Sequence, residues 1–581
     1  APNETYNKIK TIYWQAIRSL QLQHHLVTSE NPALRSHQFV SGYLTQSILR
    51  FLREYFLRFV SPDAALYHEA YANSVLFQLP DAEFMSSVDV LMKTALAVVQ
   101  HMSLEGEAVL ALSQLIISFS KCNPQPHWSQ VVLGNSHTGE VFKELSGSGS
   151  NGPCRLSLDG RSQIFGALAH LAIRAANADN FVQLCTHVHD TVQQLTTITD
   201  KADMKAPGNK QQLDMCVSCL RGLANTPSGM DKILRELFDR CLPVVSWCLH
   251  AFGEADDVVS GSIYMLRDYA ENKLDALPQQ SSLMLYRTSL SVLELLVARL
   301  HTPLSVAALG SQVALEEEEA WRSNILLVVM QLLNHLVCKD FFLECEEDED
   351  VATTAASTSP THTDGSPRQA HEKTPKQEVT DILIFAFQAL VPVMNDSLLR
   401  AFPLTCDRYF AFVAFMFNSY AEQLGAHFAA ITPEEGAAFL KILMQHLLWA
   451  AGAVEPTSAR LALQTMQAMA AFHHQATKTG RSAGLGIGPG NAAGVFNSAL
   501  DRILEMVFYP RSAEYGIAWD RVDACGNALI TLIALDAQRF LQTAHAIVGQ
   551  FTAKYPSAAQ ALFDCFEKLT TSRGVDMSSL D

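Results

Sequence analysis

The 581-residue chain is 48% hydrophobic and 17% charged; single cores stop growing at roughly 250–300 residues, so it must form several domains or one elongated stack. A net charge of −17 opposes general nucleic-acid binding, which needs clustered Lys and Arg, and favours basic partners through long-range attraction. Polar residues interrupt the apolar runs well short of the ~20 residues needed to cross a bilayer, so no membrane contact is expected.

The first stretch, APNETYNKIKTIYWQ, has neither a basic n-region nor an apolar h-region, so no secretory signal is expected. It also lacks a starting Met, as a processed chain or a fragment would. Next, Phe39, Tyr43, Ile48, Phe51, Leu52, Tyr55, Phe56 and Phe59 recur mostly at spacings of three and four, the mark of one helix face. Pro62 ends that helix by disfavouring helical geometry at Ser61. FMSSVDVLMKTALAVVQHM and EGEAVLALSQLIISFSK repeat the pattern. Residues 145–160, LSGSGSNGPCRLSLDG, are Gly/Ser-rich and read as a loop.

Further on, QQSSLMLYRTSLSVLELLVARLH is followed by EEEEAWRSNILLVVMQLLNHLVCKDFF. Glu316 to Glu319 read as first-turn carboxylates that complement a helix dipole. Residues 344–377 carry almost no large apolar side chains and cannot recover their ordering entropy by burial, so a disordered acidic loop is expected there. Its opening run, Glu344, Glu346, Glu347, Asp348, Glu349 and Asp350, is either a solvated loop or an acidic lip that draws in basic partners.

In LLRAFPLTCDRYFAFVAFMFNSY, Pro403 separates two apolar runs, and the aromatics after it read as a packing face. PEEGAAFLKILMQHLLWAAGAV and PTSARLALQTMQAMAAFHHQAT follow, and then the glycine-rich residues 479–494. Most segments are roughly 15–25 residues long and open on Ser, Thr, Asp, Pro or Glu. About twenty helices, or ten antiparallel pairs, at ~40–47 residues per pair indicate an all-α fold, a HEAT-repeat α-solenoid. One pair cannot bury its own apolar faces; stacking pairs side by side does. The expected organisation is a first arm over 1–343, the acidic loop 344–377 and a C-terminal arm over 378–581.

Motifs with chemical potential are weak. GLGIGPG lacks the preceding strand and the Lys-Ser/Thr of a phosphate loop and reads as a linker. Cys216 and Cys219 form a CxxC without a second ligand pair or a thioredoxin-like frame, so two packed helical thiols are expected. Cys185, Cys248, Cys525 and Cys565 also sit in apolar helical contexts and read as reduced, buried thiols. His24-His25, His187-x-His189 and His473-His474 do not have the spacing of one metal site, and His68 and His371 lack the remainder of a zincin or deaminase signature. No catalytic, metal or cofactor site is expected.

The order of ILRFLREYFLRFV, GRSQIFGALAHLAIRA, GSIYMLRDYAENKL, ILLVVMQLLNHLVCKDFF, DILIFAFQALVPVMNDSLLRAFPLTCDRYFAFVAFMF and LFDCFEKLT resembles the C-terminal half of an exportin of the karyopherin-β superfamily. That resemblance implies a HEAT superhelix that binds Ran-GTP with protein cargo and touches Phe-Gly nucleoporins. Such a receptor shuttles between nucleus and cytoplasm and has no catalytic centre. In one exportin branch the implied cargo is the hypusine-bearing translation factor five-A, a basic-sided protein suited to an acidic solenoid. By the same resemblance, the half that makes the principal Ran contact lies outside this chain. A different class remains open: a non-transport HEAT scaffold for a multiprotein complex. An enzyme with a buried site is disfavoured because no strand-framed motif is present.

Overall fold

A computed structural model describes residues 2–31, 33, 42–57, 81–101, 106–121, 127–145, 156–198, 200–253, 255–301, 310–354, 375–452, 455–479, 485, 489–508, 519–550, 552 and 556–571. Among the described residues there are 24 α-helices and no strand. The chain divides into two compact units, Ala1–Leu296 with Cys338–Ser359, and Val297–Val337 with Pro360–Asp581.

The first unit contains α1 (Pro2–Thr28), α2 (Gly42–Tyr55), α3 (Asp81–His101), α4 (Gly106–Phe119), α5 (His127–Leu133), α6 (Ser136–Leu145), α7 (Leu158–Arg174) and α8 (Ala178–Thr196). It continues through α9 (Lys201–Met204), α10 (Pro207–Ala224), α11 (Asp231–Phe252) and α12 (Asp256–Lys273) to most of α13 (Gln279–Leu300). Packing sorts them into two layers. In one layer α2, α4, α7, α10 and α12 each pack on the next; in the other, α1 packs on α3, α3 on α6, and α8 on α11. Successive helices such as α7 and α8, or α11 and α12, join the layers as hairpins.

The second unit repeats this plan. Its helices are α14 (Gln312–Thr354, as far as Val337), α15 (Pro375–Val393), α16 (Asp396–Ala401), α17 (Pro403–Ser419), α18 (Ala421–Ala430), α19 (Pro433–Ala451) and α20 (Pro456–Thr479). They are followed by α21 (Pro489–Phe508), α22 (Trp519–Leu535), α23 (Ala537–Gly549) and α24 (Pro556–Thr571). One layer runs α17, α20, α22 and the other α15, α19, α21, α23. Each unit is therefore a two-layer stack of helix hairpins of the HEAT-solenoid type.

Local chemistry sets the helix ends. Ser157 caps α7 by accepting from the Gly160 N–H at 3.1 Å, and Thr432 with Glu435 forms a capping box on α19, each cap worth ~1 kcal/mol. Pro403 opens α17 at its first turn, where its missing N–H costs nothing. Behind it Tyr409, Phe410, Phe412 and Phe417 are buried, as expected of a packing face. Phe387 of α15 meets Phe412, Phe417 and Phe439 with ring centroids 5.3–6.2 Å apart. In the first unit Tyr13, Tyr55, Phe56 and Phe119 form the corresponding cluster.

Five boundaries differ from the sequence expectation. Residues 158–160 open α7 rather than ending the Gly/Ser-rich loop, and residues 375–377 open α15 rather than ending the acidic loop. The backbone of residues 344–354 continues α14, since Glu and Ala are good helix formers and no breaker intervenes; residues 355–374 lie outside the described residues. Helix α14 also starts a turn before Glu316, with Ser311 Oγ accepting from the Ala314 N–H at 3.1 Å, so Glu316–Glu319 do not occupy the first turn. Residues 489–494 open α21 instead of extending the glycine-rich segment. Pro62 and residues 146–155 lie outside the described residues.

Candidate functional site

The polar groups that the fold brings together run along the layer α7, α10, α12. Arg221 of α10 donates from Nη1 to Asp159 Oδ1 of α7 at 2.8 Å and from Nε to Asp268 Oδ2 of α12 at 2.9 Å. Asp268 is only 3% exposed at its side chain. It also accepts from Asn225 Nδ2 at 2.8 Å and from Arg267. Tyr264 lies beneath both guanidinium groups, 4.7 Å from Arg221 and 5.4 Å from Arg267. Asn272 donates to Asn225 at 3.2 Å, and Lys210 Nζ donates to Asp257 at 2.6 Å.

Several polar bonds between neighbouring helices join residues 42–47 positions apart. Lys210–Asp257, Arg221–Asp268 and Asn225–Asn272 are each 47 residues apart; Ser246–Ser291 are 45 apart, and Asp231–Lys273 and Asp239–Ser281 are 42 apart. The polar ladder thus marks a repeat length of the HEAT kind. In the second unit Asp501 accepts from Thr543, 42 residues on, at 2.8 Å. There, buried Thr405 and Ser323 share a hydrogen bond of 2.8 Å, and Tyr409 meets His446 Nδ1 at 2.9 Å.

Electrostatics along the ladder follow from burial and pairing. The hydrogen bond to Asp257 holds Lys210 above the usual lysine range. Burial, and then the neighbouring Asp257 carboxylate, push Asp214 up to about 6. Burial also pulls Asp231 upward, but the Lys273 ammonium and the Gly229 N–H outweigh it and leave that carboxyl below its usual value. Glu318 pairs with Arg299 and Arg322, both at 3.0 Å. Its role is therefore an ion pair between α13 and α14 rather than dipole capping.

The proposed acidic lip, Glu344, Glu346, Glu347, Asp348, Glu349 and Asp350, lies on the C-terminal part of α14, and its side chains are outside the described residues. Cys216 and Cys219 are buried in α10, and the Cys216 thiol faces Cys241 of α11. That contact and burial push Cys216 well above the ordinary thiol range. Burial similarly takes Cys185 and Cys248 up to about 12. Cys525 is buried too, whereas Cys565 is exposed, contrary to expectation: among the described residues α24 packs chiefly on α23 alone.

The paired histidines diverge. His473 is buried against Phe496 while His474 is half-buried; His24 faces Lys93, His137 and His101, and His25 points outward. Among the described residues no group of three or more His, Cys, Asp or Glu is placed to hold a metal ion. No helix there is long and apolar enough to cross a membrane. Of GLGIGPG, Leu485 is buried and Pro489 and Gly490 belong to α21; the other positions, with His68 and His371, lie outside the described residues.

Sequence reasoning missed the ladder. Its only sequence signal is a weak one, a polar residue recurring about 42–47 positions further on in an otherwise apolar helix.

No protein-family model matches the chain, and no curated protein sequence matches it. Among solved structures, the chain is similar to a crystal structure of an engineered protein at 12% identity and a TM-score of 0.39, over 96% of this chain and all of that one. An importin 13 in its cytosolic state aligns at 9% identity and a TM-score of 0.35, over 98% of this chain and 64% of the importin. A circular tandem repeat protein with a novel repeat topology aligns at 11% identity and a TM-score of 0.17, over 97% of each chain. None reaches a TM-score of 0.5, so the fold rests on this chain's own helices.

Proposed function

We propose that the chain is a protein-binding arm of a nuclear export receptor of the karyopherin-β superfamily, most like exportin-4. It would hold Ran-GTP and protein cargo together and have no catalytic centre. The cargo class is a basic-sided protein such as the hypusine-bearing translation factor five-A. Phe-Gly nucleoporins provide passage, and the receptor shuttles between nucleus and cytoplasm. The observation that carries this reading is the exportin-like order of segments in the sequence, including GRSQIFGALAHLAIRA and GSIYMLRDYAENKL, which here form α7 and α12. The net charge of −17 supports a basic cargo by steering and complementarity.

The mechanism is coupled binding. A stack in which each hairpin touches only its neighbours spreads small changes between repeats along its length. Cargo and Ran-GTP that favour the same arrangement of hairpins tighten each other by a shared ~1–3 kcal/mol.

The test is retention of the purified chain on Phe-Gly-repeat beads. A transport receptor is retained, and retention falls when soluble Phe-Gly peptide competes. A static scaffold flows through, and that result would remove the transport reading.

A further inference from the structure

A cavity of about 80 Å³ opens where the first turns of α11 meet the last turn of α12 and the short 3₁₀ turn Leu274–Ala276 that follows. Its walls include Asp231, Lys232 and Arg235 of α11, and Tyr269 and Lys273 of α12. Leu234 and Leu277 supply apolar surface. The Lys273 ammonium is occupied by Asp231 at 3.0 Å, and Asp231 in turn accepts from the Gly229 N–H. That pair neutralises itself. Lys232 and half-buried Arg235 make no ion pair or hydrogen bond among the described residues. The Tyr269 ring stacks on Phe238 at 3.7 Å between centroids, and its buried hydroxyl has no hydrogen-bond partner. A buried hydroxyl is costly to leave unmatched. Two cations without an ion pair or hydrogen bond among the described residues, and an unmatched hydroxyl, thus stand at one small cavity in a chain whose net charge is −17.

We propose that this cavity is a docking pocket for a carboxylate side chain, a Glu or Asp presented by an acidic segment of a partner protein. The guanidinium of Arg235 offers the planar fork that matches a carboxylate, with Lys232 at the mouth as a second point charge. Leu277 and Leu234 accommodate the methylene stem. The chain's net charge of −17 disfavours an acidic segment in general, so the cationic side chains here set where such a segment docks. This site does not depend on the transport role: it specifies the chemistry of one contact, whichever assembly the chain serves.

Fluorescence anisotropy with a labelled hexaglutamate peptide tests it, using the whole chain at low ionic strength. Saturable binding is expected, weakened about tenfold or more by Arg235→Ala and by Lys232→Glu. Arg235→Lys should retain part of the affinity, because it keeps the charge and loses the fork. Lys232 is exposed, so its substitution leaves the core intact, and circular dichroism of each variant verifies folding. No peptide binding, or equal binding by the folded variants, overturns the proposal. So does saturable binding of inorganic phosphate without peptide binding, which would make the cavity a free-anion site.

Discussion

The backbones of Gly166 and Gly222 meet where α7 crosses α10. A Cβ on Gly222 would lie 2.5 Å from the Ser162 carbonyl oxygen and 2.9 Å from the Gly166 nitrogen, and one on Gly166 would lie 2.7 Å from the Gly222 oxygen. The obstacles are backbone atoms, so no side chain can rotate away. Gly222→Ala is therefore expected to destabilise the first unit by about 2–3 kcal/mol through overpacking. A methyl group added to Gly526 in α22 would meet nothing within 4 Å, and Gly526→Ala should stabilise by about 0.5–1 kcal/mol. Urea unfolding of both variants checks the contrast.

Asp268 joins Arg221, Arg267 and Asn225 at a site from which water is nearly excluded. Asp268→Ala leaves two guanidinium groups without their shared carboxylate and should cost about 3 kcal/mol. Asp159→Ala removes only the exposed end of the same ladder and should cost at most about 1 kcal/mol. A double-mutant cycle with Arg221→Ala separates the pairwise part.

The contrast between these two carboxylates shows what the sequence makes legible. Period-three-and-four patterning placed Tyr409, Phe410 and Phe417 inside because burial of large side chains is a local, additive signal. Pro403 and Thr432 likewise mark helix starts by themselves. The Arg221–Asp268 bond has no such marker. Its partners are 47 residues apart, and nothing in either segment names the other. Glu318 misled for the same reason: a run of carboxylates near a helix start looks like dipole complementation until the tertiary position of Arg299 is known.

His170 of α7 is pulled down to about 4 by burial, with Arg174 and Lys121 adding repulsion. Unfolded histidine titrates near 6.5, so between about 6.5 and 4 the unfolded chain takes up a proton that the folded chain refuses. Stability from this residue is present above pH 6.5 and is lost as pH falls toward 4. Solvent screening limits the loss to about 2 kcal/mol. Asp214, raised to about 6, acts in the opposite sense: it weakens the fold above pH 6, and the penalty fades as pH falls toward 4. His170→Gln should flatten the acid limb of the stability curve, and Asp214→Asn should stabilise by about 1 kcal/mol at pH 7 with no gain at pH 4. Thermal melts across pH 4–8 check both.

Replacing Glu344, Glu346, Glu347, Asp348, Glu349 and Asp350 with Gln or Asn should slow association with a basic partner and lower its dependence on ionic strength. Stopped-flow association rates at about 50 and 300 mM salt, across which the Debye length shortens roughly 2.5-fold, provide the check. An unchanged salt slope means that this run is only a solvated surface.

The proposed coupling of two partners through one helical array is tested most directly by titrating the hypusine-bearing factor into the chain, with Ran-GTP present and then with Ran-GDP. Cargo affinity about 5–150-fold tighter in the GTP case is expected, with an equal reciprocal tightening of Ran-GTP by cargo. Equal cargo affinities in the two nucleotide states would contradict the export-receptor account.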